Sequence, residues 1–279
     1  MTRSSTDWSA ATIVDRGEGP PLVLVPGIQG RWEYVVPAVE ALSSRFRVVT
    51  FPLDMGSPAG PAGIEFEIER LKECLDACRI ERAIVCGISY GGAVATCFAA
   101  THPARTAALV VASAPGIGWH LRARHRVYAR WPRVFGPLFL AETPFRVRPE
   151  LAATFPDRRE RWKFIRWQLR TLRRAPFSMQ RMAERALSLA AHDLAADCRR
   201  VAVDTLVVSG EPSLDKVVPV ESTAIYAKVI AGARSAMLER TGHLGTITRP
   251  DLFAAEVASF VHGTRADLRA APAARWGAA

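Results

Sequence analysis

Short unbroken apolar runs alternate along this chain with longer stretches whose apolar residues recur every third or fourth position. Residues 21–25, PLVLV, are apolar throughout, the pattern of a strand buried on both faces of a parallel sheet. RAIVCG (82–87), AALVVAS (107–113) and DTLVVSG (204–210) repeat it. FRVVTF (46–51) and RSAMLER (234–240) read as further strands, and ATIVD (11–15) as an edge strand. Between them the spacing is helical: Val36, Val39, Ala41 and Leu42, then Ile64, Ile68, Leu71 and Leu75. A small-faced segment with Gly91, Gly92, Ala93 and Ala95 reads as another helix, as do residues 219–231 and 251–262. A Pro/Gly-rich loop spans 52–63.

The alternation stops between Trp119 and Cys198, where the segments are helical and rich in Arg, Trp and Leu. Asp157 and Glu160 have the spacing of a capping box, and after them Trp162, Ile165, Leu169 and Leu172 share one helix face. Strand and helix then alternate again. This order predicts a mostly parallel, doubly wound α/β sheet with an inserted all-helical cap. Residues 1–116 and 201–263 would form the core and 117–200 the cap, with 264–279 a flexible Ala/Arg/Pro tail.

Composition narrows the class. An apolar content of 49% is that of a globular chain. No uninterrupted apolar window is long enough to span a bilayer. The first residues lack the apolar core of a secretory signal, so a cytoplasmic location is expected. The five cysteines match no zinc spacing. Cys74 and Cys78 lie four apart with no completing ligand nearby, so buried thiols, no metal and no cofactor are expected. The net charge of +10 is local: residues 117–200 hold 18 Arg and one Lys against seven Asp plus Glu. Without a nucleic-acid motif, this excess does not indicate nucleic acid. In WHLRARHRVYARWPRVFGPLFL it suits a solvated face, an interfacial helix on anionic lipid, or a field drawing anionic substrates. The sequence leaves the oligomeric state open.

The chemistry centres on IVCGISYGGAVA, residues 84–95. Gly87, Ser89 and Gly91 stand where a buried strand gives way to a helix. A turn that tight needs nearly side-chain-free positions two before and two after the serine, and it lifts the hydroxyl above the sheet edge. A serine hydroxyl at neutral pH needs a base with a pKa near the working pH, hence histidine, and a carboxylate to hold the imidazole. His243, in TGHLG, is the one histidine flanked by glycines in a loop after a strand. Asp215 and Glu211 compete for the acid; the longer loop favours Asp215.

From about residue 11 to 262 the chain resembles an α/β-hydrolase with a cap domain. The family order of serine, acid and histidine is met by Ser89 in GISYG, Asp215 in GEPSLDKVVP and His243 in RTGHLGTITRP. The resemblance implies an oxyanion hole from the backbone N–H groups of Tyr90 and of Ile28, in the loop after PLVLV. The family usually has His-Gly there; this chain has Pro26-Gly27, and Gln29 or Trp32 would replace the histidine as a prop. Gln29, Trp32 and Trp119 are the expected substrate-binding residues. The aromatic-rich cap suggests a small-to-medium apolar ester as substrate. Carbon–carbon hydrolases, thioesterases and perhydrolases share the triad, and a weakly active small-molecule or lipid-binding protein is the reading from another class. Enzymes of this fold that attack through an elbow aspartate do not match Ser89.

Overall fold

The computed structural model describes residues 13–53 and 63–270, with only the backbone described for 264–270. Seven strands, β1 (Val14–Arg16), β2 (Pro21–Val25), β3 (Arg47–Thr50), β4 (Ala83–Ile88), β5 (Thr106–Ala112), β6 (Thr205–Ser209) and β7 (Arg234–Met237), form one sheet in the order 1-3-2-4-5-6-7. Only β1 runs antiparallel; Leu22 lies beside both Val48 and Ile84, and Cys86 beside Val110.

The all-apolar strands follow from the two layers they serve. Leu22, Leu24, Ile84, Cys86, Val110 and Leu206 face one core, against α1 (Val36–Ser43) and α11 (Pro250–Ala270). Val23, Val25, Val85, Leu109, Val111 and Val207 face the other, against α2 (Ile64–Ala77), α3 (Tyr90–Thr101) and α9 (Val220–Val229). Each fully buried Leu or Val contributes about 1.5–3 kcal/mol over an exposed one. After β2 the chain crosses to β3 on one side, then to β4 on the other. The loops after β2 and β4 therefore flank a topological switch point, where ligands of open α/β sheets bind.

Five helices lie between β5 and β6: α4 (Ala123–Arg130), α5 (Pro132–Thr154), α6 (Arg158–Arg174), α7 (Met179–Ala191) and α8 (Leu194–Arg200). Four expectations need correction. The stripe of Trp162, Leu169 and Leu172 faces solvent. It is Phe164 and Trp167 that pack on the core, with Thr171 buried, about 150° round the helix from that stripe. Asp157 does cap α6, accepting from the N–H of Arg159 at 2.8 Å, but Glu160 pairs forward with Lys163 at 2.6 Å instead of reaching back. The edge strand occupies 14–16 and continues into the expected turn; residues 11 and 12 lie outside the described residues, as do 54–62 of the Pro/Gly loop. α11 continues to Ala270, so the first part of the expected tail is helical, and 271–279 lie outside the described residues. A short helix, α10 (Gly245–Thr248), has no counterpart in the sequence pattern.

Candidate active site

β4 ends at Ile88 and α3 begins at Tyr90, so Ser89 alone makes the turn. Its backbone sits at φ 56°, ψ −125°, a left-handed conformation that costs a non-glycine residue about 1–3 kcal/mol. Two hydrogen bonds hold it there: Ser89 N–H donates to Ala112 O, and Gly92 N–H to Ser89 O, both at 2.8 Å. The approach of strand to helix explains Gly87, where a Cβ would lie 2.1 Å from Gly91 O. Gly87→Ala is therefore expected to leave no soluble folded protein, as judged by expression and circular dichroism.

The hydroxyl meets two distant side chains. His243 Nε2 lies 3.1 Å from Ser89 Oγ, and His243 Nδ1 lies 3.4 Å from Asp215 Oδ2. The Asp215 side chain is buried, and Oδ1 accepts from the N–H groups of Val217 and Val218, both at 2.9 Å. That leaves Oδ2 directed at the imidazole. Glu211, the rival acid, instead accepts from Arg240 N–H at 2.6 Å and does not face His243 through this contact.

The loop after β2 packs against the serine: a Cβ on Gly27 would be 3.6 Å from Ser89 Cβ. Ile28, Ser89 and Tyr90 all line the same cavity. The N–H of Tyr90 is the first of α3 and so lacks a carbonyl one turn back. The N–H of Ile28 makes no hydrogen bond among the described residues. Burial first, then the Glu67 carboxylate, pushes the Tyr90 phenol far above its ordinary value, keeping it neutral.

The prop of this loop is neither Gln29 nor Trp32. Arg185, on α7, donates from Nη1 to Ile28 O at 3.1 Å and from Nε to Glu67 Oε1 at 2.7 Å, with both charged side chains 1% exposed. Its guanidinium lies flat on the loop: a Cβ at Gly30, where φ is 72°, would be 2.5 Å from Nη1. A second buried charge holds the histidine loop. Glu150, near the end of α5, accepts from Leu244 N–H at 2.8 Å and is 1% exposed. Burial raises its pKa, opposed by the N–H groups of Gly242 and Leu244 and by His243.

Because the folded-state value is raised, wild-type stability falls as pH rises from the ordinary carboxylate range through that raised value. Glu150→Gln keeps an acceptor for Leu244 but removes the ionisation, so this part of the pH dependence of Tm should disappear. A profile identical to wild type would mean that the Glu150 carboxyl does not titrate across folding.

Above these groups lies a cavity of about 550 Å³. Trp119 lines it, with Ile117, Leu121, Phe139, Met182 and Leu189; Gln29 and Trp32 do not. Trp32 instead begins a 3-10 turn over Trp32–Val35. Basic side chains also border the cavity: Arg122, Arg124 and Arg146 from the helical insertion, and Lys216 from the loop after β6. Glu142 takes Arg124 and Arg146, whereas Arg122 and Lys216 have no ion-pair partner among the described residues. Burial first, then the Arg146 and Arg124 charges, lowers the pKa of His125 in the same wall.

A left-handed serine at a strand-to-helix turn, below a helical insertion on a mostly parallel sheet, is the architecture of an α/β-hydrolase. The model of the alpha/beta hydrolase family matches residues 22–256, and the chain belongs to that family. It is an enzyme, and its named relatives are hydrolases. It is 31% identical to the pimeloyl-[acyl-carrier protein] methyl ester esterase of Aeromonas hydrophila, over 88% of this chain and 96% of the relative. It is 25% identical to the 2-hydroxymuconate semialdehyde hydrolase of a Pseudomonas species, over 88% of each. Among solved structures, the enol-lactonase of Burkholderia xenovorans superposes with a TM-score of 0.74 at 24% identity, covering 90% of this chain and 95% of that one, a likeness of fold. Among the described residues, no helix is long and apolar enough to cross a membrane.

Proposed function

We propose that the protein is a serine hydrolase cleaving carboxylic esters of small-to-medium, mostly apolar substrates. Ser89 Oγ attacks the ester carbonyl while His243 Nε2 takes its proton. The N–H groups of Ile28 and Tyr90 receive the oxyanion, a contribution of about 3–4 kcal/mol for one such donor. His243 returns the proton to the leaving alcohol. Water then attacks the acyl-enzyme by the same route, releasing the acid and restoring the serine hydroxyl. Asp215 holds the imidazole tautomer and offsets its charge. We further propose the division into a core of 1–116 and 201–263 under a cap of 117–200.

The observation that carries this reading is the line Asp215–His243–Ser89, with its contacts of 3.4 and 3.1 Å, at the floor of a largely apolar cavity. The cavity's size suits a small organic substrate, such sites being about 300–1,000 Å³. Arg122 and Lys216 favour a refinement, in which the substrate carries a negative charge at the end away from the bond cleaved. The same cations favour a second reading, hydrolysis of a carbon–carbon bond in a diketone bearing a carboxylate.

A panel of p-nitrophenyl esters of rising chain length, each paired with an ω-carboxylate analogue, tests both. Hydrolysis peaking at medium length, with the carboxylate lowering KM, is expected. Background rates on every ester, from a protein whose Ser89 still reacts with a fluorophosphonate, would transfer the proposal to the carbon–carbon bond. No fluorophosphonate labelling of folded protein would end both readings.

A further inference from the structure

We propose that Cys97, His192 and Asp197 form a zinc-type divalent cation site that fastens the returning end of the helical insertion to the helix following Ser89. The three residues come from separate elements. Cys97 lies two turns into α3, His192 follows α7, and Asp197 lies in α8. Their donor atoms all lie within 4.8 Å of one another. The Cys97 sulfur is 3.4 Å from His192 Nε2, which is 2.5 Å from Asp197 Oδ2. Cys97 and Asp197 are buried, and the His192 side chain is 21% exposed, leaving a way in.

Thiolate, imidazole and carboxylate together are the donor set zinc takes. Bond lengths of about 2.3 Å to sulfur and about 2.0 Å to nitrogen or oxygen place tetrahedral ligands ~3.5 Å apart for S and N, and ~3.3 Å for N and O. The first spacing is nearly present at 3.4 Å. The second requires the imidazole and carboxylate to part by about 0.8 Å. Arg200 takes the other oxygen of Asp197, leaving Oδ2 for the cation.

The surroundings complete the pattern. Glu65 Oε1 lies 3.5 Å from His192 Nδ1, where an outer carboxylate orients a metal-bound histidine. Beside His192 is a cavity of about 80 Å³, also lined by Gly118, Trp119 and Leu189, with room for a water next to the imidazole. Trp119 and Leu189 line the large cavity too, so a cation here would stiffen one wall of it. On binding, the Cys97 thiol releases its proton to solvent and the metal takes the thiolate; no redox change occurs.

The test uses the full chain, stripped with a chelator and titrated with cobalt(II). The expected result is saturation at one equivalent, with tetrahedral visible bands and a thiolate-to-cobalt charge-transfer band, both displaced by zinc. Cys97→Ser should lose the charge-transfer band and Cys78→Ser should keep it. Zinc should raise the Tm of wild type by about 5 °C at a hundredfold excess over its dissociation constant, and leave Cys97→Ser unmoved. If Cys97→Ser does not fold, His192→Gln, at a partly exposed position, must lose the tetrahedral bands. A wild-type spectrum without charge transfer, or one that survives both substitutions, overturns the proposal. None of these readouts depends on hydrolysis, so they stand or fall apart from the ester reading.

Discussion

Ser89→Ala is expected to lower kcat on the best ester by roughly 10⁶-fold, leaving only what binding and the oxyanion donors supply. Fluorophosphonate labelling should vanish with it. The fold should survive with little change in stability, since alanine carries the same backbone strain at φ 56° and gives up only the hydroxyl's contact with His243. The measurement is a burst-free progress curve beside a melting curve. A variant retaining a tenth of wild-type activity would remove Ser89 from the chemistry.

Arg185→Met should have the second largest effect, on two separable quantities. It leaves the Glu67 carboxylate buried without its guanidinium, a break that costs about 3–5 kcal/mol. At roughly 2–4 °C per kcal/mol in a domain of this size class, Tm should fall by about 6–20 °C. The variant also takes the donor from Ile28 O, so the loop whose N–H is proposed to receive the oxyanion loses that anchor. Misplacement of that donor should cut kcat by about 10–100-fold with KM little changed. The double variant Glu67→Leu/Arg185→Met separates the two effects. Removing both charges should restore most of the lost Tm, because the buried carboxylate that lost the Arg185 charge is gone as well. It should not restore kcat, since Ile28 O still lacks its partner. Recovery of both would mean that the pair acts through stability alone.

The elements legible in the amino-acid sequence are those whose signal is local. PLVLV and AIVCGI are apolar at every position because each strand has a core on both faces, so their ends are found within a residue or so. The elbow is legible because a strand, two glycines and a serine must be adjacent in sequence to make it. Asp215 and His243 can be found because each lies in a loop just after a recognisable strand. Arg185 and Glu150 cannot. Each stands in an arginine-rich helical stretch, and its partner lies 118 or 94 residues away. Burial of a charge depends on that distant partner and leaves no trace in periodicity. The Trp162 stripe misleads for a related reason. Helical spacing says which residues share a face, but not whether that face meets protein or water. The cluster at Cys97 is invisible to spacing rules because its ligands lie 95 residues apart.

Arg185 and Glu150 both belong to the segment between β5 and β6, yet each grips a loop of the sheet domain beside Ser89. The insertion is therefore not an interchangeable roof. A chimera that grafts another family member's insertion onto this sheet would need an arginine reaching Ile28 O and a carboxylate reaching Leu244 N–H. Without them the graft would assemble correctly outside and be slack at its centre. Substitutions on the outer faces of the inserted helices should therefore be tolerated far better than substitutions at these two inward anchors.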